Sequence, residues 1–133
     1  MTGTDDLRGA VGVAASYLAS FASGDPDAVA AHVSADFVND HRSALGASCQ
    51  GRDEYRRRLP GFLAAFPGLH YEVLDLVAEG DRVAVAYTLV AAPGGTTVRV
   101  PGAMFLTVAH GQISRRVDTF DSLTFLRQTG QAG

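Results

Sequence analysis

The chain offers a short menu of reactive side chains. It has no lysine, so every basic side chain is an arginine, and its one cysteine is Cys49. Lysine Schiff bases and lysine-anchored pyridoxal phosphate are therefore excluded. A lone cysteine builds neither an intrachain disulfide nor a thiolate zinc cage, and Cys49 reads as a small packing residue. The patterns GxGxxG, GxxxxGK, GxSxG and HExxH are absent. No cofactor and no metal are expected. Chemistry falls to Asp, Glu, His, Tyr, Arg, Asn or the backbone.

Two pairs have the spacing of a shared strand face. Asn39, the only asparagine, and His41 are two apart. An amide can orient a carbonyl or enolate oxygen, and an imidazole can move protons. The plainer alternative is a pair at a loop edge that caps backbone groups. Arg116 and Asp118 are also two apart. A carboxylate in an apolar pocket is made a usable acid or base by desolvation. The same two residues could instead be a surface ion pair, and alternation alone does not say which face is inside. Tyr17, Tyr55, Tyr71 and Tyr87 are possible phenol donors, but each lies in an apolar stripe or strand where core packing is the expectation. His32 and His110 are expected to be exposed, and His70 is given no role.

The elements that must position these groups follow from periodicity. Leu7, Val11, Ala14, Leu18 and Phe21 mark the apolar stripe of a first helix, ended at Ser23-Gly24. Asp25-Pro26 caps a short second helix carrying Val29 and Val33. Phe37 to His41 is a strand, and Arg42 to Gly51 is a loop. Asp53 opens a third helix with Tyr55, Leu59, Phe62, Leu63 and Phe66 on one face. Arg56, Arg57 and Arg58 fall on its solvated face, and Pro60 is expected to kink or split it. The period then changes to two. Leu69 to Glu79 and Arg82 to Ala92 form a hairpin turned at Gly80-Asp81. The second strand is apolar on both faces and is expected to be covered on both. Thr97 to Ala109 forms a strand interrupted by a bulge at Pro101-Gly102. Gln112 to Phe120 is the last strand, and Asp121 caps a final helix carrying Leu123 and Leu126 and closed by Gly130. Helices segregated from a hairpin-connected sheet mean an α+β fold.

Bulk properties agree. The chain has 133 residues, the usual size of one domain, and a single domain over 1–133 is expected. It is 47% hydrophobic and 19% charged, as compact proteins are. A formal net charge of -3 gives no basic excess to attract a phosphate backbone, so nucleic acid is not an expected partner. No apolar run approaches the ~20 residues that span a bilayer. With a polar, acidic N-terminus, a cytoplasmic location without membrane contact is expected.

The stretches "FVNDH", "GRDEYRRRL", "FPGLHYEVLDLVAEGDRVAVAYTL" and "VRVPGAMFLTVAHGQISRRVDTFDSLTFLRQTG" resemble the SnoaL-like polyketide cyclases of the nuclear transport factor two-like superfamily. The resemblance runs from Leu7 to Gly130. It implies a cone-shaped, curved antiparallel sheet closed by three to four helices around an internal pocket. It also implies a homodimer paired through the outer sheet face, and a hydrophobic small-molecule substrate. Asp118 matches the family's acid-base aspartate, with Asn39 and His41 to stabilise a developing enolate oxygen. Tyr87, where relatives carry a large aromatic residue, is expected to shape the pocket wall, with Tyr17, Tyr55, Phe120 and Arg116 as further substrate contacts. The family's helper histidine is replaced here by Met104, which suits an apolar ligand but exchanges no proton. The leading expectation is a cofactor-free cyclase or isomerase. Epoxide opening is an alternative that needs a second carboxylate, for which Asp75 is the loose candidate, beside Arg99 or Arg116. A binding domain without turnover is the other alternative.

Overall fold

The computed structural model describes residues 9–131. Helix α1 (Ala10–Ser20) passes through a 3-10 turn (Phe21–Ser23) into α2 (Pro26–Ala30). Strands β1 (Val33–His41) and β2 (Cys49–Gln50) lead to helix α3 (Arg52–Ala65). Then come β3 (His70–Glu79), β4 (Arg82–Ala91), β5 (Val98–Ala109), β6 (Gln112–Phe120) and helix α4 (Ser122–Gln128). The strands form one sheet in the order β2-β1-β6-β5-β4-β3. This is an α+β fold with a curved, unclosed sheet. Every pairing is antiparallel except β1 with β6, which run parallel. The sheet is therefore mixed, because β1 arrives from the helical layer and not through a hairpin.

Local chemistry explains most boundaries. The Asp25 carboxylate accepts from the Asp27 N–H at 2.9 Å, with Pro26 as first residue of α2. Asp121 caps α4 by accepting from the Thr124 N–H at 3.0 Å. Gly24 takes φ +68° at the end of the first turn, a conformation that favours glycine.

Four expectations are corrected. On α1 the buried face is Val13, Ala14, Tyr17 and Leu18, and Val11 is 42% exposed. The helix is rotated so that the Tyr17 phenol enters the core, and Leu7 lies outside the described residues. Val33 opens β1, not α2, and is fully buried there. Helix α3 runs unbroken through Pro60, whose missing N–H removes only one ladder bond. Pro101 and Gly102 stay in regular register with Thr88 and Tyr87, and the bulge lies instead on β6, where Ser114 is skipped between the pairs Thr107–Arg115 and Val108–Ile113.

The core lies on the concave side of the sheet. Val83, Val85, Tyr87 and Leu89 of β4 pack with Val98, Val100, Met104 and Leu106 of β5 against α1 and Leu59. The opposite face is less covered than the β4 sequence implied. Val77 of β3, Ala86 of β4 and Phe105 of β5 are exposed there.

Candidate functional site

Between the concave face, α3 and the loop after β1 lies a cavity of about 240 Å³. Its wall is largely apolar: Phe21, Leu59, Phe62, Phe66, Leu89 and Phe120. Its polar groups are few and concentrated, as in small-molecule sites generally.

Parallel pairing of β1 with β6 creates the centre. His41 is registered opposite Asp118, and Asn39 opposite Arg116. The two strand pairs singled out in the sequence thus lie side by side on one surface. The loop after β1 is stitched to β6: the Arg42 N–H donates to the Asp118 carbonyl at 2.9 Å, and Ser43 Oγ accepts from the Phe120 N–H at 2.5 Å. Gly46, whose N–H donates to the Ser43 carbonyl at 2.9 Å, lies against the His41 side chain, where a Cβ would lie 2.1 Å from Nδ1.

Asp118 faces the cavity at 1% exposure. The pair with Arg116 does form, but in the pocket and not at the surface, because the buried Arg116 enters the cavity beside it. Arg116 Nη2 donates to Asp118 Oδ2, and the Tyr87 hydroxyl donates to Oδ1 at 2.6 Å. His41 Nε2 stands 3.6 Å from Oδ2. Tyr87 reaches this carboxylate because Gly102 lies between them on β5. A Cβ there would meet the Tyr87 Cζ and Oη at 2.4 Å, so only glycine lets the phenol cross the strand.

Arg116 organises a second cluster. Its Nη1 donates to the Tyr17 hydroxyl at 2.8 Å and its Nη2 to the Tyr71 hydroxyl at 3.1 Å. The Tyr17 and Tyr55 hydroxyls share a 2.5 Å hydrogen bond. Phe21, Tyr17 and Tyr71 rings lie 5.6 to 5.8 Å from the guanidinium carbon, within cation–π range. Burial alone disfavours the cation, but the oxygens of Tyr17, Tyr71 and Asp118 outweigh it and keep Arg116 charged.

Protonation follows burial. Burial, with a smaller contribution from the Arg116 charge, holds His41 below the ordinary imidazole value against the opposing pull of Asp118. Its ring is thus neutral at pH 7 and able to accept a proton. Burial pushes the Tyr71 phenol up to about 12 and lifts Tyr55 and Tyr87 as well, so all three remain protonated donors. Burial also pushes the Cys49 thiol up, which keeps it a thiol.

Of the residues singled out from sequence, the structure brings Asp118, His41, Asn39, Arg116, Tyr87, Tyr55 and Phe120 to the cavity wall. Tyr17 and Met104 do not line it. Tyr17 is fully buried and touches the site through Tyr55 and Arg116. Met104 is fully buried in register between Val85 and Asp118. Arg99 is exposed and paired with Glu72, and Asp75 is exposed. Asp118 is the one carboxylate in the lining among the described residues. Tyr71, named as a possible phenol donor but expected in the core, also lines the cavity, and sequence reasoning missed Arg58, read as part of a solvated face. Arg58 sits at the cavity wall bonded to the Ser48 carbonyl at 2.9 Å. Its place three residues after Tyr55 on α3 was the available signal. Among the described residues no group of three or more His, Cys, Asp or Glu is placed to hold a metal ion, and no helix is long and apolar enough to cross a membrane.

Solved structures share this architecture. A protein of ketosteroid isomerase-like fold from Catenulispora acidiphila, crystallised with trimethylamine, superposes with a TM-score of 0.81 at 22% identity, over 89% of this chain and 92% of that one. A candidate polyketide cyclase from Xanthomonas campestris pv. campestris gives 0.74 at 25% identity, over 90% and 95%. An LEH-like epoxide hydrolase of M. tuberculosis gives 0.77 at 19% identity, over 90% and 87%. No curated protein sequence matches the chain. The family model for the SnoaL-like domain matches residues 14–116, most of the sheet and all but the last two residues that build the site, and the chain belongs to that family.

Proposed function

We propose that the cavity performs cofactor-free proton transfer on a hydrophobic carbonyl compound of the polyketide type, as a cyclase or isomerase acting in the cytoplasm. The observation that carries this reading is the neutral His41 imidazole, 3.6 Å from a fixed, buried Asp118 in an otherwise apolar cavity. Both Asp118 oxygens already accept hydrogen bonds, from Tyr87 and Arg116. The carboxylate is therefore better placed to stabilise a His41 imidazolium by its charge than to meet substrate first. His41 takes the proton next to the carbonyl and returns it elsewhere on the same molecule. Asn39, whose Oδ1 is buried without a partner among the described residues, positions the substrate beside it.

Epoxide opening is supported by the buried Arg116 at the same site and by the fold shared with an epoxide hydrolase. A water held by two carboxylates bridged through arginine lacks its second carboxylate among the described lining residues, so opening by an internal hydroxyl is the form that fits. A binding role without turnover would use the same apolar wall. The exposed Val77 and Phe105 on the outer sheet face support a homodimer as the assembly.

The test is hydrogen–deuterium exchange at the carbons beside the carbonyl of 2-tetralone, followed by NMR in buffered D2O. Catalysed exchange that His41→Gln lowers by about 100-fold or more is expected, the scale of a lost general base. Ligand-induced stabilisation with no exchange in the parent protein would favour the binding role.

A further inference from the structure

The hydroxyls of Tyr17 and Tyr71 both accept from one cation, and those of Tyr55 and Tyr87 are linked to it through Tyr17 and Asp118. The five N–H bonds of a guanidinium point in fixed directions. In Arg116, Nη2 serves Asp118 and Tyr71, Nη1 serves Tyr17, and Nε is buried without a partner among the described residues. Each phenol oxygen that accepts a bond from a cation becomes a stronger donor through its own proton. The proton of Tyr71 has no acceptor among the described residues, and Tyr71 lines the cavity. Tyr17 does not line the cavity, but it shares a 2.5 Å bond, in which either hydroxyl can donate, with Tyr55, which does. With Tyr17 donating in that bond, the Tyr55 proton is also left for the cavity.

We propose that Arg116 activates Tyr55 and Tyr71 as paired donors to a ligand oxygen bearing negative charge, with Tyr17 as the positioning residue that links Arg116 to Tyr55. The ligand class is a carbonyl compound whose oxygen becomes an enolate, or a phenol that binds as its phenolate. The rings are held for this task. Tyr71 meets Phe21 and Tyr87 edge-on at 5.1 and 5.0 Å, and Tyr55 packs on Phe37 at 4.8 Å. Donors fixed in advance cost no reorganisation when charge develops. Charge also balances. A C–H bond of the substrate breaks, its proton goes to His41 Nε2, and its electron pair delocalises onto the carbonyl oxygen facing the phenols. The Arg116–Asp118 pair stays neutral overall, and imidazolium and enolate cancel. The return of the proton from His41 to carbon restores both.

This inference rests on the proton-transfer reading for its substrate class, and its test is read by binding, with exchange on 2-tetralone as the second readout. The probes are 4-nitrophenol, followed by the absorption of its phenolate, and 4-nitrotoluene, which has the same shape without the hydroxyl. The parent protein is expected to prefer 4-nitrophenol and to lower its apparent pKa on binding. Tyr55→Phe and Tyr71→Phe are each expected to weaken that preference about tenfold, the effect of losing one hydrogen bond to a charged oxygen. Tyr17→Phe should weaken it less, through Tyr55. Affinity for 4-nitrotoluene should hold in all three variants, which also reports that the cavity remains folded. Equal preference in the parent and both cavity variants overturns the proposal, as does failure of the parent to bind 4-nitrophenol more tightly than 4-nitrotoluene. If the preference behaves as expected while exchange on 2-tetralone is absent, the donor pair stands and the proton-transfer reading fails. If exchange depends on His41 but not on either phenol, the proton-transfer reading stands and the donor pair fails.

Discussion

Gly102→Ala is the most diagnostic single change in this molecule, because two physical effects predict opposite signs. Gly102 does not require a positive φ. At such a strand position Ala should stabilise by about 0.5–1 kcal/mol through a less flexible unfolded chain. The new Cβ, however, would lie 2.4 Å from Tyr87 Cζ and Oη, where ordinary contact begins near 3.4 Å. The phenol must retreat by about 1 Å. A retreat of that size along its 2.6 Å bond to Asp118 leaves about 3.6 Å, too long for a hydrogen bond. Overpacking costs about 1–3 kcal/mol, and the lost bond to a carboxylate about 1.5–3. The net expectation is a loss of about 2–5 kcal/mol. Urea unfolding followed by far-UV circular dichroism measures it, with an unchanged m-value as the sign that stability alone moved. In a Tyr87→Leu background the side chain ends short of the clashing atoms, and Gly102→Ala should become neutral or stabilising. A parent protein made more stable by Gly102→Ala would refute the crossing of Tyr87 over β5.

Other outcomes follow from the same cluster. Arg116→Ala leaves Asp118 buried without its cation and should cost about 3–5 kcal/mol, whereas exposed Arg57→Ala should leave the urea midpoint essentially unmoved. His41 titrates lower in the folded than in the unfolded chain. Between those two values the unfolded chain binds more protons, so His41 contributes stability that is present above about pH 6.5 and lost as pH falls toward its folded value. His41→Gln should flatten the melting-temperature profile over that window, and an unchanged profile would count against the burial argument. Gly46→Ala puts a Cβ 2.1 Å from His41 Nδ1, so it should reduce exchange on 2-tetralone by about tenfold or more, with a smaller change in binding of 4-nitrotoluene.

Much of this architecture could be read from local signals. The β3–β4 hairpin turns at Gly80-Asp81, and α2 and α4 begin at aspartate caps, because turns and caps depend on neighbours in sequence. What stayed hidden depends on distant partners. Gly102 looked like a break in a strand, yet it is regular and small only because a tyrosine from β4 passes over it. Val33 carried helical spacing until pairing with Ile113 drew it into the sheet. The site divides the same way. Spacing by two put Asn39 with His41 and Arg116 with Asp118, but the parallel register that sets one pair against the other has no local signature. Tyr71 looked like core because the cation that engages its hydroxyl is 45 positions away.

That parallel pairing also has a kinetic consequence. His41 and Asp118 are separated by 77 positions, and all of β2, β3, β4 and β5 lies in sequence between the paired strands β1 and β6. Closing so long a loop is entropically costly and places the fold among high contact-order topologies, which mature slowly. A nascent chain that stops short of β6 can hold the hairpins and an apolar pocket wall, but it has no dyad. Exchange on 2-tetralone, where the proposed function holds, should therefore lag behind recovery of strand signal during refolding, making the candidate site a reporter of the last long-range step in folding.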